Sequence, residues 1–156
     1  MSARERTAGV VVIGNEILSG KVADTNSPFL ATELRKLGVA LRRIETIPDE
    51  LDDIARTVRT FHESFDYVFT SGGVGPTHDD VTIEGIARGM GRKVIRHPDL
   101  EAGIRTFVQG ELNAAHLKMA EVPDGAELLP DESLRFPTIR LENIFILPGI
   151  PEILRK

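Results

Sequence analysis

The stretch "FTSGGVGPTHDD", Phe69 to Asp80, gathers residue types that handle phosphate. Gly72, Gly73 and Gly75 fall within four positions. Glycines there permit backbone dihedrals that other residues avoid, and they remove side chains that would block a ligand. A helix is expected directly after the loop, and its first turn offers unpaired N–H groups and the positive end of a dipole. Together these features make an anion site, most often for phosphate. Thr77 and Thr82 add hydroxyls that can bind phosphate oxygens or a metal-bound water. Asp79 and Asp80 add carboxylates, which can hold Mg²⁺ or accept a proton from an attacking hydroxyl. A tight turn followed by an aspartate that caps the next helix accounts for the same residues without a ligand.

Other carboxylates are candidates too. Glu16, in "GNEIL", falls just beyond an apolar run, where a carboxylate needs water, a partner or a cation. Asp49, in "PDELD", precedes a helix with Asp52 three residues on, a natural N-cap arrangement. Asp24 and Asn26 have the character of turn and cap residues. Ser71, at a strand end, could donate to phosphate more easily than attack. The histidines are His62, His78, His97 and His116, and none has zinc-ligand spacing. Only His78 lies in the glycine loop. The P-loop pattern GxxxxGK[ST] is missing, the first strand ends in "GNEILSG" rather than in a dinucleotide fingerprint, and there is no G-x-S-x-G elbow.

The elements that must position these residues are legible as alternating patterns. "AGVVVIG" is a short apolar run of the kind buried on both sheet faces. "TNSPFLATELRKLG" predicts a helix, with Asn26 or Ser27 as cap and Gly38 as its end. "VALRRIETI" alternates as a strand. In "PDELDDIARTVRTFHESF", Leu51, Ile54, Ala55, Val58 and Phe61 share one helical face. "DYVFTSGG" predicts a third buried strand, "DVTIEGIARGMG" a helix, "RKVIRH" a strand and "PDLEAGIRTFVQGEL" a helix. Residues 113–137 are expected to be irregular. "TIRLENIFILPGIP" predicts two short strands joined about Glu142 and Asn143. This alternation implies right-handed crossovers and a mostly parallel sheet, with ligands beyond the carboxyl ends of the strands. "GNEILSG", "PDE" and "SGGVGPTHDD" all leave such ends.

The 156 residues suit one domain, 1–156, with 41% hydrophobic and 28% charged residues. A net charge of −5 argues against a nucleic-acid duplex as partner, because neutralising phosphates needs a basic face. The chain has no cysteine, so disulfides, thiol nucleophiles and thiolate metal sites are excluded. Aromatics are scarce and Trp is absent, which disfavours a base-stacking platform. "MSARERTAG" has no long apolar run behind it, so neither a signal peptide nor a membrane span is expected, and a cytoplasmic location is.

"GNEILSGKVADTN", "PDE", "SGGVGPTHDDVT" and "LPGIP" occur in the order found in the molybdopterin-binding domain family, which the chain resembles from about Gly9 to Arg155. That family includes molybdopterin adenylyltransferases, CinA-type competence-damage-inducible proteins and the N-terminal domain of eukaryotic FAD synthase. "RFPTIRLENIFILPGIPEILRK" is most similar to the latter two. The resemblance implies a three-layer α/β/α sandwich around a mostly parallel sheet. It implies Asp49 and Asp80 as the functional carboxylates, and Gly72, Gly73, Gly75, Thr77 and Thr82 around a pterin or nucleotide phosphate. Pro148 and Gly149 would complete the pocket, and Glu16 with Asp80 would face a divalent metal ion such as Mg²⁺, Mn²⁺ or Co²⁺. Asn15 stands where many members have Asp, although an amide oxygen still ligates.

For activity, the resemblance implies a metal-dependent pyrophosphatase acting on ADP-ribose or FAD. The alternatives are adenylyl transfer to molybdopterin, or a module that binds a pterin or nucleotide without turnover. It also implies a homo-oligomer, dimer or trimer. The deamidase domain of CinA-type proteins and the synthase domain of FAD synthases are not among these residues, so neither activity is expected of them.

Overall fold

In the computed structural model, residues 4–129 and 137–148 are described. The first strand, β1 (Arg6–Ile13), is buried along its last six positions, as a β-branched run without polar interruptions requires. Its glycine-ended tip leads into a single helical turn, α1 (Asn15–Leu18), and then into α2 (Asn26–Lys36). β2 (Val39–Ile47) follows, then α3 (Leu51–Ser64), β3 (Tyr67–Ser71) and α4 (Thr82–Gly89). The strands of "VALRRIETI" and "DYVFTSGG" and the helices of both intervening segments thus form where their patterns predict them.

Beyond α4 the chain builds a smaller unit. β4 (Val94–Arg96) pairs antiparallel with β5 (Glu121–Pro123), and between them run α5 (Pro98–Arg105) and α6 (Ala114–Lys118). β6 (Glu127–Leu129), β7 (Thr138–Leu141) and β8 (Ile144–Leu147) then return to the main sheet. β7 and β8 form the predicted hairpin, with Glu142 at φ 52 in its turn. The expectation of irregular structure over 113–137 is corrected, since α6, β5 and β6 fall inside it. Asn113 and His116 close a reciprocal capping box that fixes the start of α6.

The central sheet has the order β2-β1-β3-β8-β7-β6. β2, β1, β3 and β8 are mutually parallel, while β7 and β6 run antiparallel. Val11, Ile13, Val68 and Ile144 pack with Ile54, Val58 and Phe61 of α3 and with Ile86 of α4 on one face. Val10, Val12 and Leu30 of α2 pack on the other. The molecule is therefore a three-layer α/β/α sandwich, as the resemblance implies. Strand order reverses between β1 and β3: the chain leaves β1 toward β2, crosses back, and enters β3 on β1's other side. At such a switch the loops leaving neighbouring strands diverge and open a crevice. Among the described residues, no helix is long and apolar enough to cross a membrane.

Candidate functional site

The loop after β1, the loop after β2 and the glycine loop after β3 leave the carboxyl ends of neighbouring parallel strands at this switch. Gly72 and Gly73 take φ values of 97° and 70°, which favour glycine. Close approach reinforces the requirement. A Cβ on Gly72 would lie 2.2 Å from the Ile13 carbonyl oxygen, and one on Gly73 2.0 Å from Thr82 Oγ1. Thr82 is fully buried behind the loop, where its hydroxyl donates to Gly72 O at 2.8 Å and its N–H to Gly73 O at 3.1 Å. The first residue of α4 thus fixes the loop's shape from beneath.

Asp80 organises the outer half of the loop. Its Oδ2 accepts from Thr77 N–H at 3.0 Å and from Thr77 Oγ1 at 2.8 Å, and the Asp80 N–H donates to Thr77 O at 3.1 Å. It does not cap α4, whose N-cap is Val81 with no side-chain bond. The carboxylate lies beside Gly75, where a Cβ would sit 2.6 Å from Oδ2. Asp79 and His78 are solvent-exposed and pair only with each other, at 3.4 Å. The His78 side chain is 93% exposed and does not line the cleft beside the glycine loop.

Asp49 also departs from the capping expectation. α3 has Glu50 at its N-cap and no side-chain bond there. The Asp49 carboxylate instead accepts the Asn15 N–H at 3.0 Å, and the Asn15 side-chain oxygen accepts the Asp49 N–H at 3.2 Å. This reciprocal pair ties the loop after β1 to the loop after β2, next to the bond from Gly14 N–H to Ile47 O at 3.0 Å. Asn15 therefore serves as a clasp. An aspartate in its place would set two carboxylates side by side, whereas the amide does not. Glu16 is exposed, and its carboxylate folds back over Gly14, where a Cβ would sit 2.6 Å from Oε1.

Two further contributors frame the same edge. Leu147 O accepts the Gly72 N–H at 3.3 Å, which brings Pro148 beside the glycine loop. Gly149 lies outside the described residues. Asn26 and Ser27, expected as caps, are instead the first residues of α2, with Thr25 at the N-cap. Asp24, just before it, accepts the N–H groups of Asn26 and Ser27 at 3.1 and 3.0 Å. Asn26 then donates from Nδ2 to Ser71 Oγ at 3.0 Å in a buried pair, which holds β3's last residue against α2.

The sequence did not point to Lys118. It projects from the end of α6 to donate to Thr77 O. A cleft between the glycine loop and the smaller unit is lined by Gly73, Gly75, Asp80, Glu84, Lys118 and Glu121. Lys118 and Glu121 come from the segment expected to be irregular. The signal that could have found them was the Asn113/His116 spacing, which announces a helix start. Among the described residues, no three His, Asp or Glu side chains gather tightly enough to hold a metal ion by themselves. Asp80 and Glu84 line the cleft, whereas Glu16 and Asp49 do not. An ion of the Mg²⁺ kind, which keeps waters and takes one or two carboxylates with phosphate oxygens, would be held there by Asp80.

The fold has counterparts. A CinA protein from Thermoplasma acidophilum superimposes with a TM-score of 0.87 at 34% identity, over 96% of this chain and 92% of that one. The tungsten cofactor synthesizing protein MoaB from Pyrococcus furiosus shares the fold, with a TM-score of 0.59 at 21% identity over 99% and 88% of the two chains. Among curated relatives, a probable FAD synthase of Caenorhabditis elegans is 34% identical over 175 aligned residues, 98% of this chain and 34% of the relative. A CinA-like protein of Desulfosudis oleivorans is 33% identical over 156, covering 96% and 38%. The chain thus spans little more than a third of the length of these two relatives. The family model described as a probable molybdopterin binding domain matches residues 9–156. With this match over nearly its whole length, the chain belongs to the molybdopterin-binding domain family.

Proposed function

We propose that this domain binds a phosphorylated nucleotide on the glycine loop and hydrolyses its phosphoanhydride, with ADP-ribose or FAD as substrate. The observation that carries the proposal is the pairing of Gly72 and Gly73, held at positive φ by Thr82, with the Asp80 carboxylate at the loop's open side. Backbone N–H groups of such a loop suit phosphate oxygens. The Gly72 N–H is held by Leu147 O, which leaves that role to the residues after it. Lys118, already bonded to the loop at Thr77 O, adds positive charge where phosphate charge accumulates. Asp80 stands where a carboxylate can accept the proton of an attacking water.

In this scheme water attacks one phosphorus in line, the bridging P–O bond breaks, and two phosphomonoesters leave, one of them AMP. A divalent ion bound by Asp80 together with the substrate phosphates would polarise the anhydride. Asp49 and Asn15 act through position, by locking the loops after β1 and β2 to each other. One relative is named a probable FAD synthase, which favours a nucleotide over a free pterin as ligand.

Incubating the protein with ADP-ribose or FAD and Mg²⁺, Mn²⁺ or Co²⁺ should release AMP. Absence of AMP from every combination would contradict the hydrolytic reading. Consumption of ATP only when molybdopterin is present would assign adenylyl transfer instead, and ligand-induced thermal stabilisation without product would leave a binding module.

A further inference from the structure

The cleft beside the glycine loop carries more charge than phosphate binding needs. Lys118 brings a cation, and its ammonium has N–H donors to spare after the bond to Thr77 O. The Asp80 carboxylate is engaged by Thr77. Glu84 and Glu121 line the same cleft, and among the described residues neither carboxylate has an ion-pair or hydrogen-bond partner. Arg96 stands opposite Glu121 on the β4–β5 ladder, yet its guanidinium is drawn to Glu101 at 3.5 Å. Glu84 comes from the first turn of α4 and is exposed, while Glu121 opens β5 and is half-buried. Carboxylates left unpaired beside a phosphate site repel any further anion. They only accept hydrogen bonds, so they suit a group rich in O–H donors. The cleft is also small, about 70 Å³, where a pocket that engulfs a whole ligand takes about 300–1,000 Å³. It has room for one group next to a loop-bound phosphate, not for an aromatic base or a flavin.

We propose that Glu84 and Glu121 are specificity residues that admit an uncharged polyol on the distal phosphate of a nucleoside diphosphate and reject a terminal phosphate. This rests on the nucleotide reading of the glycine loop given above. The carboxylates accept the polyol's hydroxyls, as an acidic residue holds the ribose of a dinucleotide in other α/β folds. Val74, Ile83 and Met119 line the cleft as well and offer an apolar wall to the sugar's C–H groups. ADP-ribose presents a ribose at this place and FAD presents a ribityl chain, and both are neutral polyols. ADP ends there in an ionised oxygen and ATP in a further phosphate. The same carboxylates therefore attract one class and repel the other, which is discrimination by a repulsive as well as an attractive element. The base plays no part in it, because it stays outside the cleft.

Titration calorimetry of the full chain with ADP-ribose, FAD, ADP and ATP, in EDTA so that none is turned over, tests this directly. ADP-ribose or FAD should bind about tenfold or more tightly than ADP and ATP. Either preference supports the proposal, and their order tells ribose from ribityl as the occupant. Glu121→Gln should lower the ratio of the ADP Kd to the ADP-ribose Kd by about fivefold, since a neutral amide repels less and accepts less strongly. Glu84→Gln should lower it in the same direction, and it decides the matter if Glu121→Gln fails to fold. Glu111→Gln makes the same charge change at an exposed position outside the cleft and should leave the ratio alone. A merely structural fault would weaken all ligands together and would not move the ratio. Binding of ADP as tight as that of ADP-ribose and FAD, or a ratio that both cleft variants leave unchanged, would overturn this inference while the nucleotide reading stands. Failure of all these nucleotides to bind the unaltered protein would overturn both.

Discussion

Asp80 and Thr82 divide the work of the glycine loop between an open side and a buried side. Asp80→Asn keeps an acceptor for Thr77, so the loop should hold its shape while AMP release falls by about 10²–10⁴-fold, measured at saturating ADP-ribose. Thr82→Val acts from behind. It removes the donor to Gly72 O in a fully buried site, which should cost about 1–3 kcal/mol in denaturant unfolding. Gly73→Ala combines a disfavoured φ with a Cβ driven onto Thr82, and should weaken nucleotide binding as well as stability. The glycine spacing made a tight loop after β3 legible before the structure, while a phosphate role for it came from the family resemblance. The partner of Asp49 was not legible. Asn15 lies 34 residues away, and only the β1–β2 register brings the two together. Local spacing could offer only a helix cap.

Elements place these residues by close packing of α3 on α4. Gly85 and Gly89, one turn apart, lie on the face of α4 that meets α3. A Cβ on Gly85 would sit 2.5 Å from Ile54 Cγ2, and one on Gly89 2.5 Å from the Ala55 carbonyl oxygen. Gly89→Ala should therefore force the helices apart and destabilise by about 1–3 kcal/mol in thermal or denaturant melts, with a matching disturbance at Thr82, at the other end of the same helix. The buried parallel strands were legible as apolar runs, and α3 as a strong amphipathic period. β5 and β6 were not, because three residues each carry too little periodicity to register. α1 was missed for the same reason, being a single turn fixed by Asp49 rather than by its own sequence.

For the whole molecule, Asp66 links the start of the chain to the start of β3. Arg4 bonds its carboxylate at 2.6 Å and the Thr7 N–H at 2.8 Å, and these hold Asp66 at about 2, below the usual carboxylate value. A depressed carboxylate stabilises the fold above its unfolded pKa, and that contribution is lost as pH falls from about 4 toward 2. Asp66→Asn should flatten the stability profile in that window, read from denaturant midpoints at successive pH values. The sheet topology serves the site at this scale too, because the reversal of strand order between β1 and β3 sets the loops after these strands side by side on one sheet edge. The most direct test of phosphate binding there is a nuclear magnetic resonance titration of the ¹⁵N-labelled protein with ADP-ribose and Mg²⁺. The account predicts that the amides of Gly73 and Gly75 shift first and furthest, and that Asp80→Asn preserves those shifts while abolishing AMP release. Shifts confined to other surfaces, or none at saturating ligand, would contradict it.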